Sequence, residues 1–246
     1  MQKTGSEDPR HVLITADSGT SLTELLIAMA AGLVVFGATL QALSSFQQRF
    51  VTQQRAVAQH QDLRLGLELL EQELRLAGVG SITTAAVDSV EFSANLRGLS
   101  TTVSASAAIG QTTLSVEDGR EWDQRKTIVV CWVEFCETLT LARDGQRSLL
   151  TVAQPLARPI PAGAFVSLRN RVRYYSRRDD RAVLRLLRQV DGGASMLVEG
   201  IQDARFTYWD EEGRSTTMHE RIKRVVVEVA IPHQSIRAVR VISLRS

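Results

Sequence analysis

From Leu22 to Leu43 the chain reads LTELLIAMAAGLVVFGATLQAL, and no other stretch of its 246 residues is comparably apolar. Glu24, two threonines and Gln41 are the only clearly polar members. Ala, Leu, Ile, Val, Gly and Phe cover every side, so a helix built from this run has no polar stripe to turn toward water. At 1.5 Å of rise per residue, about 20 such residues cross a bilayer core of about 30 Å. The run predicts a membrane-spanning helix. A cleaved secretory signal fits poorly, because it needs a basic start and a cleavage site behind a short apolar core. Here Lys3 and Arg10 stand against Glu7, Asp8 and Asp17, and the apolar run passes unbroken into a long polar segment.

That segment is also expected to be helical. Ser44 to Ala77 contains no Pro and one Gly, Gly66, and Leu63, Leu67, Leu70 and Leu74 recur at helical spacing. Leu65, Leu69 and Leu76 are expected to widen this face into a broad surface for burial. Gln47, Gln48, Gln53, Gln54 and Gln59 make the first half polar, to stand in water or against neighbouring subunits. Gly78 and Gly80 supply the left-handed positions at which helices end.

Beyond Gly80 the pattern changes to alternating β-branched and aromatic runs with turn residues between them. Ten strands are predicted: 87–93, 112–116, 127–131, 138–142, 149–153, 165–175, 182–188, 204–209, 221–231 and 236–244. Pro155, Pro159 and Pro161 mark a connector where ladder hydrogen bonds cannot continue. The fold class is α+β, a long N-terminal helix packed on an antiparallel β-sheet head with the leucine stripe covering one sheet face.

The densest functional signal is Gly19-Thr20-Ser21-Leu22-Thr23-Glu24, which joins a glycine at the entrance of an apolar helix to a lone carboxylate five residues later. A carboxylate in hydrocarbon costs on the order of 3 kcal/mol on insertion scales, so Glu24 should lie shallow or have a partner such as an amine. At these residues the chain resembles the type IV pilin superfamily, whose precursors carry Gly, usually Phe, and Glu in this order before an apolar helix. Thr20 stands where the family usually has Phe. The resemblance divides the chain into a leader (1–19), the transmembrane half of the helix (20–43), its amphipathic half (44–77) and a β-rich globular head (78–246). It implies cleavage after Gly19 by a prepilin peptidase and N-methylation of the new terminus at Thr20. It also implies an assembly role for Glu24, paired with the amino terminus of a neighbouring subunit.

Glu71-Gln72-Glu73-Leu74-Arg75-Leu76-Ala77-Gly78 resembles the stem end of minor pilins of the W type and of the type II secretion pseudopilin J. Val172-Arg173-Tyr174-Tyr175, Val198-Glu199-Gly200-Ile201 and Phe206-Thr207-Tyr208-Trp209-Asp210 follow in the order found in such heads. The expectation is a minor pilin or pseudopilin that helps initiate or cap a type IV pilus or related filament. Its partners would be other minor pilins or pseudopilins, the major pilin and the prepilin peptidase. It would sit in the inner (cytoplasmic) membrane as a single-pass protein with a periplasmic head, and later in a pilus or pseudopilus. The alternative is a single-pass membrane-tethered binding protein or enzyme that joins no filament.

Other residues carry less. Cys131 and Cys136 are too few for a metal knuckle. If 127–131 and 136–141 pair as a hairpin joined by residues 132–135, the two thiols oppose one another and can form a disulfide; buried free thiols are the other reading. Eight arginines between Arg169 and Arg188 could contact a polyanion, but a solvated sheet face paired with Asp179 and Asp180 accounts for them, and a formal net charge of +2 does not mark a nucleic-acid binder. Asp210, Glu211 and Glu212 read as a solvated turn. His11, His60, His219 and His233 lack metal spacing. No catalytic motif and no cofactor is expected.

Overall fold

The computed structural model describes residues 21–133, 135–232 and 237–245. Helix α1 runs from Leu22 to Ala77, 56 residues without interruption. A glycine inside a helix costs about 1 kcal/mol relative to alanine, and at Gly66 there is a reason to keep it. A Cβ there would stand 3.4 Å from Val198 Cγ2 and 3.5 Å from Leu197 Cβ, so the missing side chain lets the helix lie close to a strand. The helix stops at Gly78 and Gly80, with φ of 76° and 78°. The Val79 amide is taken up by the Arg245 carbonyl at 2.7 Å.

The chain divides into two compact units, Met1–Ala56 and Val57–Ser246. All described residues of the first belong to the helix or its cap and are exposed. The second unit contains the rest of α1 and thirteen strands among the described residues. In chain order these are β1 (Ile82–Ala85), β2 (Ser89–Ala94), β3 (Ser100–Thr102), β4 (Thr113–Ser115), β5 (Thr127–Trp132), β6 (Phe135–Thr140), β7 (Leu149–Thr151) and β8 (Phe165–Arg178). They continue with β9 (Leu184–Val190), β10 (Gly193–Ile201), β11 (Asp203–Trp209), β12 (Arg224–Ala230) and β13 (Arg237–Ser243). Every pairing is antiparallel. The α+β class therefore stands, with an antiparallel head.

All ten predicted strands are present with ends moved by a few residues; β1, β3 and β10 are additional. The β10 segment gives little period-2 signal because it opens Gly-Ala-Ser, and its register against β9 shifts between Met196 and Val198 and again between Glu199 and Ile201. Each such irregularity flips the side-chain alternation that a sequence pattern depends on.

The 14-residue strand β8 organises the head. Its first half pairs with β3 and β5, its second half with β2 and β9. Two hydrophobic cores follow from this division. One gathers Leu63, Leu67, Leu70 and Leu74 of α1 with Phe92, Tyr174, Phe206 and the Val225, Val227 and Val229 row of the separate β11-β12-β13 sheet. The other is built by the segment between β2 and the middle of β8, around Leu114, Trp122, Ile128, Leu150, Ile160 and Val166. The proline connector is thus anchored rather than loose, since Leu156 and Ile160 are buried between its prolines.

The helix stripe covers the sheet as expected but is narrower. Leu65 is 62% exposed and Leu76 55%, and the buried face consists of Leu63, Gly66, Leu67, Leu70, Glu73 and Leu74. A helix laid on a sheet buries one strip of its surface, and Leu65 and Leu76 lie outside that strip.

Candidate functional site

Gly19 and Thr20, the residues of the expected cleavage and methylation, lie outside the described residues. The site can be built from Ser21 onward. Ser21 precedes the first helical residue, and its amide donates to Glu24 Oε2 at 3.1 Å while the Glu24 amide donates to Ser21 Oγ at 3.3 Å. This reciprocal pair is a capping box, which satisfies two of the four amides that a helix start leaves without partners. The Ser21 and Thr23 hydroxyls lie 2.6 Å apart and add to the turn. The carboxylate also sits where the helix dipole is positive.

Sequence reasoning sought a partner for Glu24 outside the chain and missed this one, although Ser21-Leu22-Thr23-Glu24 has the S-x-x-E spacing that signals it. Within a single chain Glu24 already has local hydrogen bonds through Oε2. Oε1 accepts none from the described residues. Downstream, α1 is long and apolar enough to cross a membrane, and none of its most apolar stretch is buried within the chain. Thr39, the one hydroxyl inside this stretch, donates back to the carbonyls of Val35 and Phe36 and so carries its own satisfaction into hydrocarbon.

In the head, the most enclosed polar cluster is one the sequence did not single out. Glu73 sits on the buried face of α1 beside Leu70 and Leu74 and is 5% exposed. Tyr174 on β8 donates its hydroxyl to Glu73 Oε2 at 2.5 Å. Arg188 on β9 donates from Nε to both carboxylate oxygens at 3.1 and 3.0 Å, and from Nη2 to Oε1. Burial pushes the Tyr174 phenol upward, with the neighbouring carboxylate adding to the effect, and the hydrogen bond to Glu73 raises the Arg188 guanidinium. The three side chains tie the helix to two strands. Its polar groups are engaged with one another, the arrangement of a clamp.

Three arginines of β8 and β9, Arg171, Arg185 and Arg188, are answered by carboxylates. Arg171 binds Glu91 through two nitrogens at 2.7 and 3.0 Å, and this contact holds the Glu91 carboxyl below its usual range. Arg185 lies 2.9 Å from Asp179 and 2.5 Å from Glu199, and Arg173 stacks over Tyr175 at 4.9 Å. Asp179 therefore serves one arginine, and Glu91, Glu199 and Glu73 supply the pairing expected from Asp180. At the Asp210 turn, Asp210 and Glu212 both bind Arg214. Among the described residues no group of three or more His, Cys, Asp or Glu could hold a metal.

Cys131 and Cys136 are directly opposed on β5 and β6 and are joined by a disulfide. The hairpin is tighter than expected. Trp132 and Phe135 pair as the last rung, so each strand reaches one residue further toward the turn; Val133 takes φ 48°. Breaking the bond should lower head stability by about 2 kcal/mol in the chain-entropy model, because the closed loop is small. Urea unfolding with and without reductant measures this, and loss of the fold on reduction alone would contradict it.

No protein-family model matches the chain, and no curated protein matches it.

Proposed function

We propose that this chain is a minor pilin or pseudopilin, a membrane-anchored subunit that helps initiate or cap a type IV pilus or a related filament such as that of type II secretion. The observation that carries the reading is α1 itself, one uninterrupted helix that opens on a capped lone carboxylate, continues as a membrane-grade run and supplies the leucines of the head core. A protein merely tethered to a membrane has no need for its anchor and its core to be the same helix, since a flexible linker suffices. In a filament subunit the helix that packs among its neighbours is also the one that carries the head.

In this reading, a prepilin peptidase cleaves after Gly19, and the new amino terminus at Thr20 is methylated. The inner membrane holds the subunit with its head on the periplasmic side until extraction into the filament. Glu24 keeps its own helix start in order through Oε2 and offers Oε1 to the positive terminus of an adjacent subunit. Each charge then cancels the cost that hydrocarbon places on the other.

Intact-mass analysis and N-terminal sequencing from cells with an active prepilin peptidase test this. The expected chain starts at methylated Thr20, and replacing Gly19 with valine should leave precursor. A native terminus near Ser44 would establish a secretory signal instead, and a wild-type chain left uncleaved would favour a simple membrane-tethered protein.

A further inference from the structure

A second pattern starts within the apolar run of α1 and continues past its end. Leu22, Met29, Phe36, Leu43, Phe50 and Val57 recur at intervals of seven, six large apolar residues in a row on one side of the helix. Taking these as position a of a heptad, the d positions are Leu25, Gly32, Thr39, Phe46 and Gln53. Between Ser44 and Arg55, three large apolar residues occur, and Phe46 and Phe50 fall on this seam while only Val51 lies off it. Gln48 and Arg55 occupy f, on the opposite side.

The seam is uncovered in the chain, with Leu43 54% exposed, Phe46 69%, Phe50 59% and Val57 56%. Lipid does not account for all of it. At 1.5 Å per residue, Phe50 lies about 10 Å and Val57 about 21 Å along the axis past Leu43, whereas the headgroup layer on each side of the hydrocarbon is only about 6 Å thick. A protein surface is what can cover these side chains.

We propose that Leu43, Phe46, Phe50 and Val57 join two copies of this chain as a parallel, in-register coiled coil just outside the membrane. Two copies of one single-pass chain share a membrane orientation, and spans of identical length set their residues 43–57 at the same height, so the geometry is parallel and in register without further selection. The flanking positions suit a second copy. Across such a pair, Arg49 at g faces Gln54 at e of its partner, and Ala42 faces Gln47, so no like charges meet. Gln53 at d meets its own copy, and an amide, which both donates and accepts, can bond to an identical amide. A polar pair at one core position also fixes register. Within the span, Thr39 at d can face a partner because its hydroxyl is already bonded to Val35 and Phe36, and Gly32 at d has open space around it. The proposal requires the membrane span and not the filament.

The test is oxidative cross-linking of the full-length chain in native membranes, with cysteine placed at one position at a time. The two natural cysteines are already bonded to each other. Leu43→Cys and Phe50→Cys should give a dimer of twice the 27.1 kDa chain, less any leader removed. Gln48→Cys and Arg55→Cys should give about tenfold less, because f positions face away from the seam. Adding Phe50→Glu to the Leu43→Cys chain should remove most of the dimer. Equal yields at all four positions, no dimer from any of them, or a cross-linked species of another mass would each overturn the proposal. Leader cleavage is read in the same samples from the monomer band, so a failure of the filament reading is seen separately from a failure of the seam.

Discussion

Glu73→Ala is expected to destabilise the head by about 3 kcal/mol, the lower end of the cost of removing one partner of a buried ion pair, because Arg188 keeps 23% of its side chain exposed. The substitution strands the Arg188 guanidinium and the fully buried Tyr174 hydroxyl, both of which lose their acceptor. With domain stabilities commonly 5–15 kcal/mol, a loss of this size would take a large fraction of the stability of a marginal head. Urea unfolding of the detergent-solubilised chain, followed by near-ultraviolet circular dichroism, gives the value. The triple replacement Glu73→Leu, Arg188→Met and Tyr174→Phe should recover most of it, since exchanging both ions for apolar residues of similar volume is often neutral and no buried hydroxyl is then left without an acceptor. Tyr174→Phe should cost about 1.5–3 kcal/mol, the range for a hydrogen bond to a charged group. A loss below about 1 kcal/mol for Glu73→Ala would mean that water reaches Arg188 and that the clamp has the weight of a surface pair.

The second large effect concerns Glu24, where the sign of the outcome separates two roles. If the carboxylate only opens the helix, Glu24→Ala removes one capping-box contact, worth about 1 kcal/mol, and also removes a desolvation penalty. Membrane insertion should then be unchanged or easier and filament incorporation intact. If Glu24 also neutralises the amino terminus of a neighbour, the substitution leaves an ammonium in hydrocarbon without its partner, at about 3–5 kcal/mol per contact. Incorporation should fall by at least about a hundredfold, at 1.4 kcal/mol per tenfold, while insertion and leader cleavage stay normal. Ser21→Ala is the control, because it weakens the same cap and leaves the carboxylate in place. The measurement is recovery of the subunit in sheared filaments or in the initiating subcomplex, alongside the ratio of mature to precursor chain. Unchanged incorporation of the Glu24→Ala chain, or an equal loss for Ser21→Ala, would remove the assembly role assigned to this carboxylate.

The proposed seam and the proposed filament use different parts of the same helix. Glu24 acts at its start, within the apolar run, whereas Phe50 and Val57 stand beyond it. A dimer held by the seam would bring two subunits together at the membrane before either is extracted, and loss of the seam would leave processing at Gly19 untouched.

The long helix and the β head were legible because they rest on local rules. Apolar cover on every side from Leu25 to Ala38, the four-three-four spacing of Leu63, Leu67, Leu70 and Leu74, and the glycines at 78 and 80 each express a constraint that acts within a few residues. The capping box at Ser21 and Glu24 was equally local and open to the same reading. Even the cysteine pair could be foreseen, since two opposed residues of one hairpin are set by the turn between them. Other features were settled only in three dimensions. Glu73 is separated from Tyr174 by 101 residues and from Arg188 by 115, so no sequence window joins them. The partners of Arg171 and Arg185 were fixed by which strands flank β8, and the division of the head into two cores was fixed by β8 exchanging neighbours halfway along its length. The strand β10 went unread because its two register shifts cancel the alternation. Local chemistry chooses the kind of element, since its hydrogen bonds and steric limits are satisfied nearby, whereas strand order and buried charge pairing are choices among distant partners that only packing can rank.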